Sequence, residues 1–243
     1  MMVANLQLRV KEFFLCPAPL RLLLTLKKQF MEELFQMLDG IYPLSDGLKE
    51  YLMEHLKEKR IARKELLLKA GRICENIYFV AEGLLRCYYV RNGKEISTWF
   101  MKEGDVIASV ESFFDQKPSY ENIEALEDCV LYYVSHSELS HIYKTYLEFN
   151  YVGRELVQNY YKLSEKRLFS IRDTVGVEKM EFLLANHPDL ISRVEGQHLA
   201  SYLSITKEYF SILKPQELKR NSNSSVKSKK ISKRKAAKKG RKK

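Results

Sequence analysis

Apolar positions change their spacing three times along this chain. Over residues 32–58, Leu34, Leu38, Leu48, Leu52 and Leu56 recur at helical intervals, interrupted by "DGIYPLSDG", whose glycines and proline predict a loop between two helices. From Glu65 to Ser135 the pattern shortens to runs rich in β-branched and aromatic residues: "NIYFV", "LLRCYYV", "EISTWFM", "VIASV" and "CVLYYVS". Glu82-Gly83, Asn92-Gly93 and Glu103-Gly104-Asp105 stand between them. Asn-Gly between two such runs predicts a tight hairpin, because both central residues of a type I′ turn need positive φ. The combination predicts an antiparallel roll or sandwich. After Ser135 the helical period returns. "HSELSHIYKTY" predicts a short helix capped by Ser135 or Ser137, and a long one follows over 148–172. In the long helix Phe149, Val152, Leu156, Tyr160 and Leu163 step by three, four, four and three before the period slips at Arg167. So narrow a stripe predicts a seam between two copies of the chain, with packing on the chain's own roll as the other reading.

The C-terminal region predicts small helices ending in "HLASYLSITKEYFSILK", residues 198–214. Leu199 and Leu203 share a face, Ser204-Ile205 makes a corner, and Thr206 is placed to cap the next helix. Ile205 and Phe210 are expected inside, and Lys207, Glu208, Tyr209 and Ser211 outside. Pro215 is expected to end that helix early.

Charge sharpens this division. Thirteen of the 41 Lys and Arg fall in residues 219–243 with no acid among them, and the remaining chain holds 28 basic against 31 acidic residues. The body is ordinary and the end is a cation, too poor in apolar residues to fold alone and suited to a polyanion. Cys16, Cys74, Cys87 and Cys129 show no CxxC spacing, and the last three lie in apolar strand-like text, so buried thiols are expected rather than a metal or a disulfide. The five histidines are scattered. No catalytic motif occurs, no cofactor is called for, and no apolar run approaches a membrane span. A reducing cytoplasm is the expected compartment. Met31 offers an alternative start, with residues 1–30 as a loose extension.

Helix pair, glycine-punctuated roll, long helix and two-helix corner, in this order from about Met31 to Lys214, resemble the Crp/Fnr family of bacterial transcription regulators. "NIYFVAEGLLRCYYV", "WFMKEGDVIASVESFF", "IEALED" and "LASYLSIT" carry the resemblance, and the "GD…ESF…KPS…EALED" cassette is most similar to Bacteroidetes-type members. The resemblance implies an α+β fold: a cyclic nucleotide-binding-like jelly roll with flanking helices over 31–147, a dimerisation helix over 148–173, a winged-type helix-turn-helix domain over 174–218, and a basic tail over 219–243. It implies a homodimer on double-stranded DNA, with no membrane, an unidentified small-molecule effector, and Thr206, Lys207, Glu208, Tyr209, Ser211 and Lys214 at the DNA. It further implies a pocket around Gly104, Asp105, Ala108, Ser109, Glu111, Ser119 and Tyr120.

Two departures are visible. Where cyclic-nucleotide binders of the family carry Gly-Glu and Arg-Ser or Arg-Thr, this chain has Ala108-Ser109 and Ser119-Tyr120. Without the cation an enclosed phosphate is costly to desolvate, so the usual cyclic AMP mode is not expected; the interior of the roll is expected to be filled, with a pocket for another ligand lined by Ser109, Glu111, Ser119 and Tyr120 as the other reading. With Cys16 alone near the N-terminus, the family's iron–sulfur sensor is not implied. At the corner, Ile212 stands where an arginine commonly follows, which weakens base discrimination by about 1–3 kcal/mol. The alternative is a ligand or interaction protein that has lost sequence-specific recognition, with the tail giving bulk nucleic-acid affinity.

Overall fold

The computed structural model describes residues 18–172 and 175–220, with side chains from Lys28 onward. The segments 1–17 and 221–243, and with them Cys16 and most of the basic run, lie outside the described residues. Helices α1 (Ala18–Ile41) and α2 (Asp46–His55) precede eight strands: β1 (Lys57–Ile61), β2 (Leu66–Leu68), β3 (Asn76–Glu82), β4 (Leu85–Arg91), β5 (Lys94–Met101), β6 (Val106–Ile107), β7 (Asn122–Ala125) and β8 (Cys129–Ser135). Helix α3 (Val110–Asp115) lies between β6 and β7. Helices α4 (His136–Thr145), α5 (Phe149–Arg172), α6 (Gly176–Asn186), α7 (Leu190–Arg193) and α8 (Gly196–Tyr202) follow the roll, and a last helix, α9, covers residues 207–220. Among the described residues no helix is long and apolar enough to cross a membrane.

The strands form two four-stranded sheets, β1-β8-β3-β6 and β2-β7-β4-β5, with each neighbouring pair antiparallel. The β4–β5 hairpin closes at Asn92-Gly93, with φ of 52° and 71°, as a type I′ turn requires. At Gly83 the chain passes so close to β8 that an added Cβ would sit 2.5 Å from the Asp128 carbonyl oxygen, and φ is +98°, so only glycine fits. One core unites the inner faces of the sheets with α1, α2 and the start of α5. It holds Leu38, Leu48, Leu52, Leu131 and Val152, all nearly inaccessible. Ser135 caps α4 through a reciprocal capping box with Glu138, as its position before the helical period predicts.

A second core belongs to the C-terminal helices. Met180, Leu183, Leu199, Leu203 and Phe210 gather there, and Leu84 and Phe100 of the roll join them. The two units are therefore packed on each other. Polar contacts fix that joint. The Arg193 guanidinium donates to both oxygens of Glu103 and both of Glu127 at 2.6–2.9 Å. Lys102 pairs with Asp189 at 2.8 Å. The Ser97 amide donates to Ser201 Oγ at 2.9 Å, tying β5 to α8.

Three boundaries differ from the sequence expectation. Met31 falls inside α1 and is itself buried, so the break expected there is not a structural one. Pro215 does not end its helix: α9 continues to residue 220, and Leu213 and Glu217 on either side of the proline are buried. Leu213 in the interior and the ties of Lys214 to Ile191 and Arg220 to Glu181 on either side outweigh the one backbone hydrogen bond that proline removes. Lys219 and Arg220, assigned to the basic tail, are the last residues of α9, with Arg220 paired to Glu181 at 2.9 Å. No strand occurs in 176–220 among the described residues, so the expected wing has no counterpart there.

Candidate functional site

The corner sits where the sequence places it. Ser204 takes the left-handed conformation at φ 54°, which turns the chain sharply between α8 and α9. Thr206 Oγ1 then accepts from the Tyr209 amide at 3.2 Å, capping α9. Phe210 is buried beneath the corner and Ile205 is half-buried. Thr206, Lys207, Glu208, Tyr209 and Ser211 are exposed on the first turns of α9. Tyr209 also packs on the start of α6: a Cβ on Gly176 would come within 2.2 Å of its ring, so the glycine leaves room for the ring as it stands. Lys214 behaves differently from its neighbours. Its Nζ donates to the Ile191 carbonyl at 3.0 Å, holding α9 to α7. Ile212 is 57 % exposed beside Ser211.

The second candidate site is a cavity of about 590 Å³ between the roll and α5. This overturns the expectation of a filled interior. Three expected pocket residues line it: Ala108, Glu111 and Tyr120. The other four do not. Ser109 and Ser119 are buried behind the wall and bond each other at 2.9 Å, with Ser119 Oγ also donating to the Glu121 carbonyl. Gly104 and Asp105 shape the β5–β6 turn, where Asp105 Oδ2 accepts from the Lys102 amide at 3.0 Å. Those four residues are satisfied by one another or by the backbone, which leaves the lining mainly apolar and aromatic: Phe79, Trp99, Phe114 and Tyr120 from the roll, Leu156 and Tyr160 from α5.

The expected seam is part of this wall. Phe149 and Val152 are buried against the chain's own roll, Leu156 faces the cavity, and Tyr160 Oη accepts from the Val106 amide at 2.8 Å. Burial of that phenol pushes its pKa up to about 12. The stripe therefore serves α5-on-roll packing, which was the other reading of it. One position on, α5 carries a second row, Val157, Tyr161, Leu168 and Phe169, between 44 % and 73 % exposed, the first two also lining the cavity.

Two charged residues in this region carry no motif in the sequence. Glu121 sits in the cavity wall, its Oε2 accepting from Thr98 Oγ1 at 3.2 Å, and burial raises its pKa. Arg167 lines the cavity as well. Its Nη2 donates to the carbonyls of Ser97 and Tyr202 at 3.2 Å each, and its guanidinium lies over the rings of Tyr202 and Trp99 at 4.4 and 5.9 Å. Its one advance signal was the slip of the apolar period at its position. A third charged residue, Arg86, is 2 % exposed and joins Glu95 and Glu124 at 2.7 and 2.6 Å while touching His198 of α8. Burial and the neighbouring Arg86 cation both push the His198 pKa down.

The cysteines behave as the sequence predicts. Cys74, Cys87 and Cys129 are buried free thiols, held protonated by burial, Cys129 up to about 11. No cluster of metal-ligating side chains occurs among the described residues.

Residues 58–146 match the cyclic nucleotide-binding domain, the stretch that runs from β1 to the end of α4. No curated protein sequence matches the chain. Solved structures share its fold over most of its length at low identity. FixK2 from Bradyrhizobium japonicum is 19% identical, with a TM-score of 0.59 over 68% of this chain and 86% of that one. A CooA mutant from Carboxydothermus hydrogenoformans is 18% identical, with a TM-score of 0.57 over 70% and 79%. A Eubacterium rectale protein, described as a transcriptional regulator of the crp/fnr family, is 17% identical, with a TM-score of 0.56 over 70% and 82%.

Proposed function

We propose that this chain is a dimeric, DNA-binding transcription regulator of Crp/Fnr type whose roll senses something other than cyclic AMP in the usual mode. The observation that carries the reading is the corner: a Thr206-capped helix held by buried Phe210 and Leu213, with Lys207, Glu208 and Ser211 exposed on its first turns. The shared fold with a crp/fnr-family regulator supports it. Side chains at the start of the second helix of such a pair reach base edges in the major groove. Lys207 suits a guanine acceptor and Glu208 a cytosine amine, while Ile212, exposed where an arginine is expected, suits a thymine methyl. Lys214 is assigned to holding α9 in place, because its ammonium is already engaged with Ile191.

Dimerisation is assigned to the second row, Val157, Tyr161, Leu168 and Phe169, which presents large apolar groups to solvent along one side of α5. Residues 221–243 add salt-sensitive affinity through phosphate contacts and no base discrimination.

The test is selection from randomised duplexes by the protein with residues 221–243 removed. A two-fold-symmetric motif is expected, with half-sites about one helical turn apart. Lys207→Ala is expected to relax one position of each half-site. Enrichment of nothing, by a protein that also sediments as a monomer, would overturn the regulator reading in favour of an interaction protein that keeps only the architecture.

A further inference from the structure

Arg167 is a cation without an anion. Its Nε is buried with no hydrogen-bond partner, Nη2 donates to two neutral carbonyls, and the Tyr202 phenol is its other polar neighbour. No carboxylate lies within ion-pair distance of it among the described residues. Elsewhere this fold pairs its enclosed arginines: Arg86 has Glu95 and Glu124, and Arg193 has Glu103 and Glu127. Removing a guanidinium from water without a counter-charge is costly, and proteins seldom retain one without use. Arg167 faces a cavity of about 590 Å³, in the range that encloses a small organic ligand.

We propose that this cavity binds an apolar carboxylic acid, with the carboxylate seated on Arg167 and the body held among Phe79, Trp99, Phe114 and Tyr160. The apolar walls select the body. An alkyl or aryl chain leaves water there for apolar contacts, which a nucleotide's polar ribose does not supply. The guanidinium fork selects a planar anion over a neutral or cationic head. Glu111 and Glu121 are the acids in the wall; burial raises the Glu121 pKa while its hydrogen bonds from Ser109 and Thr98 act the other way, so the seat for an incoming carboxylate is the Arg167 guanidinium alone. The serines at the positions where a sugar and a phosphate would be held are turned away and satisfied by each other.

The same guanidinium touches three elements at once: α5, which carries it, β5 through the Ser97 carbonyl, and α8 through the carbonyl and ring of Tyr202. A carboxylate arriving at Arg167 competes with those carbonyls for its donors, so occupancy of the cavity bears on the seat of the helix before the corner. This coupling rests on the regulator reading; binding of the acid does not.

The chain has a single tryptophan, Trp99, and it lines the cavity, so its emission reports occupancy without a label. The full chain is titrated with decanoate, decanol, decylamine and cyclic AMP, none of which absorbs at the tryptophan emission. Saturable quenching or enhancement by decanoate is expected at least tenfold tighter than by decanol, with decylamine weakest. Arg167→Gln is expected to bring decanoate down to the affinity of decanol and leave decanol unchanged. Should that variant fail to fold, the order among the four ligands on the unaltered protein still decides. Decanol equal to decanoate, cyclic AMP tighter than decanoate, or no saturable change in Trp99 emission overturns the proposal. Duplex affinity is then measured with and without saturating decanoate. A change of threefold or more supports the coupling, and no change removes the coupling while binding stands. Absence of any duplex binding removes the regulator reading and leaves the acid site intact.

Discussion

The roll is covered on two sides, and the two covers are built in opposite ways. Against the C-terminal helices it presents charge: Arg193 holds two carboxylates bidentately, Lys102 holds Asp189, and buried Arg86 links Glu95 and Glu124 to His198. Against α5 it presents apolar surface that does not close, leaving about 590 Å³ and one unpaired guanidinium. Close-packed interiors tolerate no void of that size without cost. A charged joint fixes geometry and answers to pH and salt, because its partners must meet at set distances. An apolar gap is indifferent to both and answers to whatever fills it. The first suits holding a domain in one place, and the second suits being acted on.

The largest consequence of this difference is expected at Arg86. Arg86→Leu leaves Glu124, four-fifths buried, without its cation at 2.6 Å and removes a guanidinium stacked on Tyr88 at 4.1 Å. Breaking a buried pair from one side typically costs about 3–5 kcal/mol, and partial exposure of Glu95 places this case near the lower end, about 3 kcal/mol. Urea unfolding of the full chain reads it as a lower midpoint at unchanged slope.

Arg193→Ala is expected to cost less. Both acids and the arginine keep 23–43% of their surface, so solvent screens the pairs, and about 1 kcal/mol is expected for the network. The loss should shrink in 1 M salt, where the screening length falls to about 3 Å. A loss that ignores salt would mean that Arg193 acts through packing.

The joint should also sense acid. His198 faces Arg86, Glu95, Glu124 and Glu195, and its pKa is lowered in the folded chain. An unfolded imidazole titrates near 6.5, so below that pH the unfolded chain takes up more protons and stability falls as pH falls. Above about pH 7 both states hold the neutral ring and the contribution is fully present. Unfolding free energy measured between pH 7.5 and 5.5 should decline, and His198→Gln should flatten part of the decline. Burial lowers His187 as well, so a residual slope is expected in that variant.

The same contrast explains what could be read from the residues alone. The hairpin at Asn92-Gly93, the capping box at Ser135 and the cap at Thr206 each rest on local backbone chemistry, and each stands where its dipeptide or spacing predicts. The stripe Phe149–Leu163 was visible, but its partner was not. Periodicity says that a helix face is covered, without saying by what, and here the chain's own roll covers it. Pro215 misled because proline's cost is local, whereas the contacts that hold α9 on either side of it, Lys214 to Ile191 of α7 and Arg220 to Glu181 of α6, are not. Gly104, Asp105, Ser109 and Ser119 were expected at a pocket through a resemblance whose polar ligand contacts this chain lacks. The network around Arg86 joins residues 112 apart, and no spacing rule reaches across that distance.

The smallest expected effect is the sharpest measure of the gap itself. Ala108 lines the cavity, and Ala108→Leu adds three carbons to space the wild-type protein leaves open. Inserting such a group into a packed core costs about 1–3 kcal/mol through off-rotamer side chains and backbone shifts. Here it should be neutral or stabilising by less than about 1 kcal/mol, because the added methyls leave water for contacts with Leu156 and their neighbours on the wall. The same substitution occupies volume the proposed acid needs, so decanoate affinity should fall while thermal stability does not. Destabilisation of 2 kcal/mol or more in a thermal melt would mean that the space is closed in solution, and the contrast between an open and a charged face of the roll would go with it.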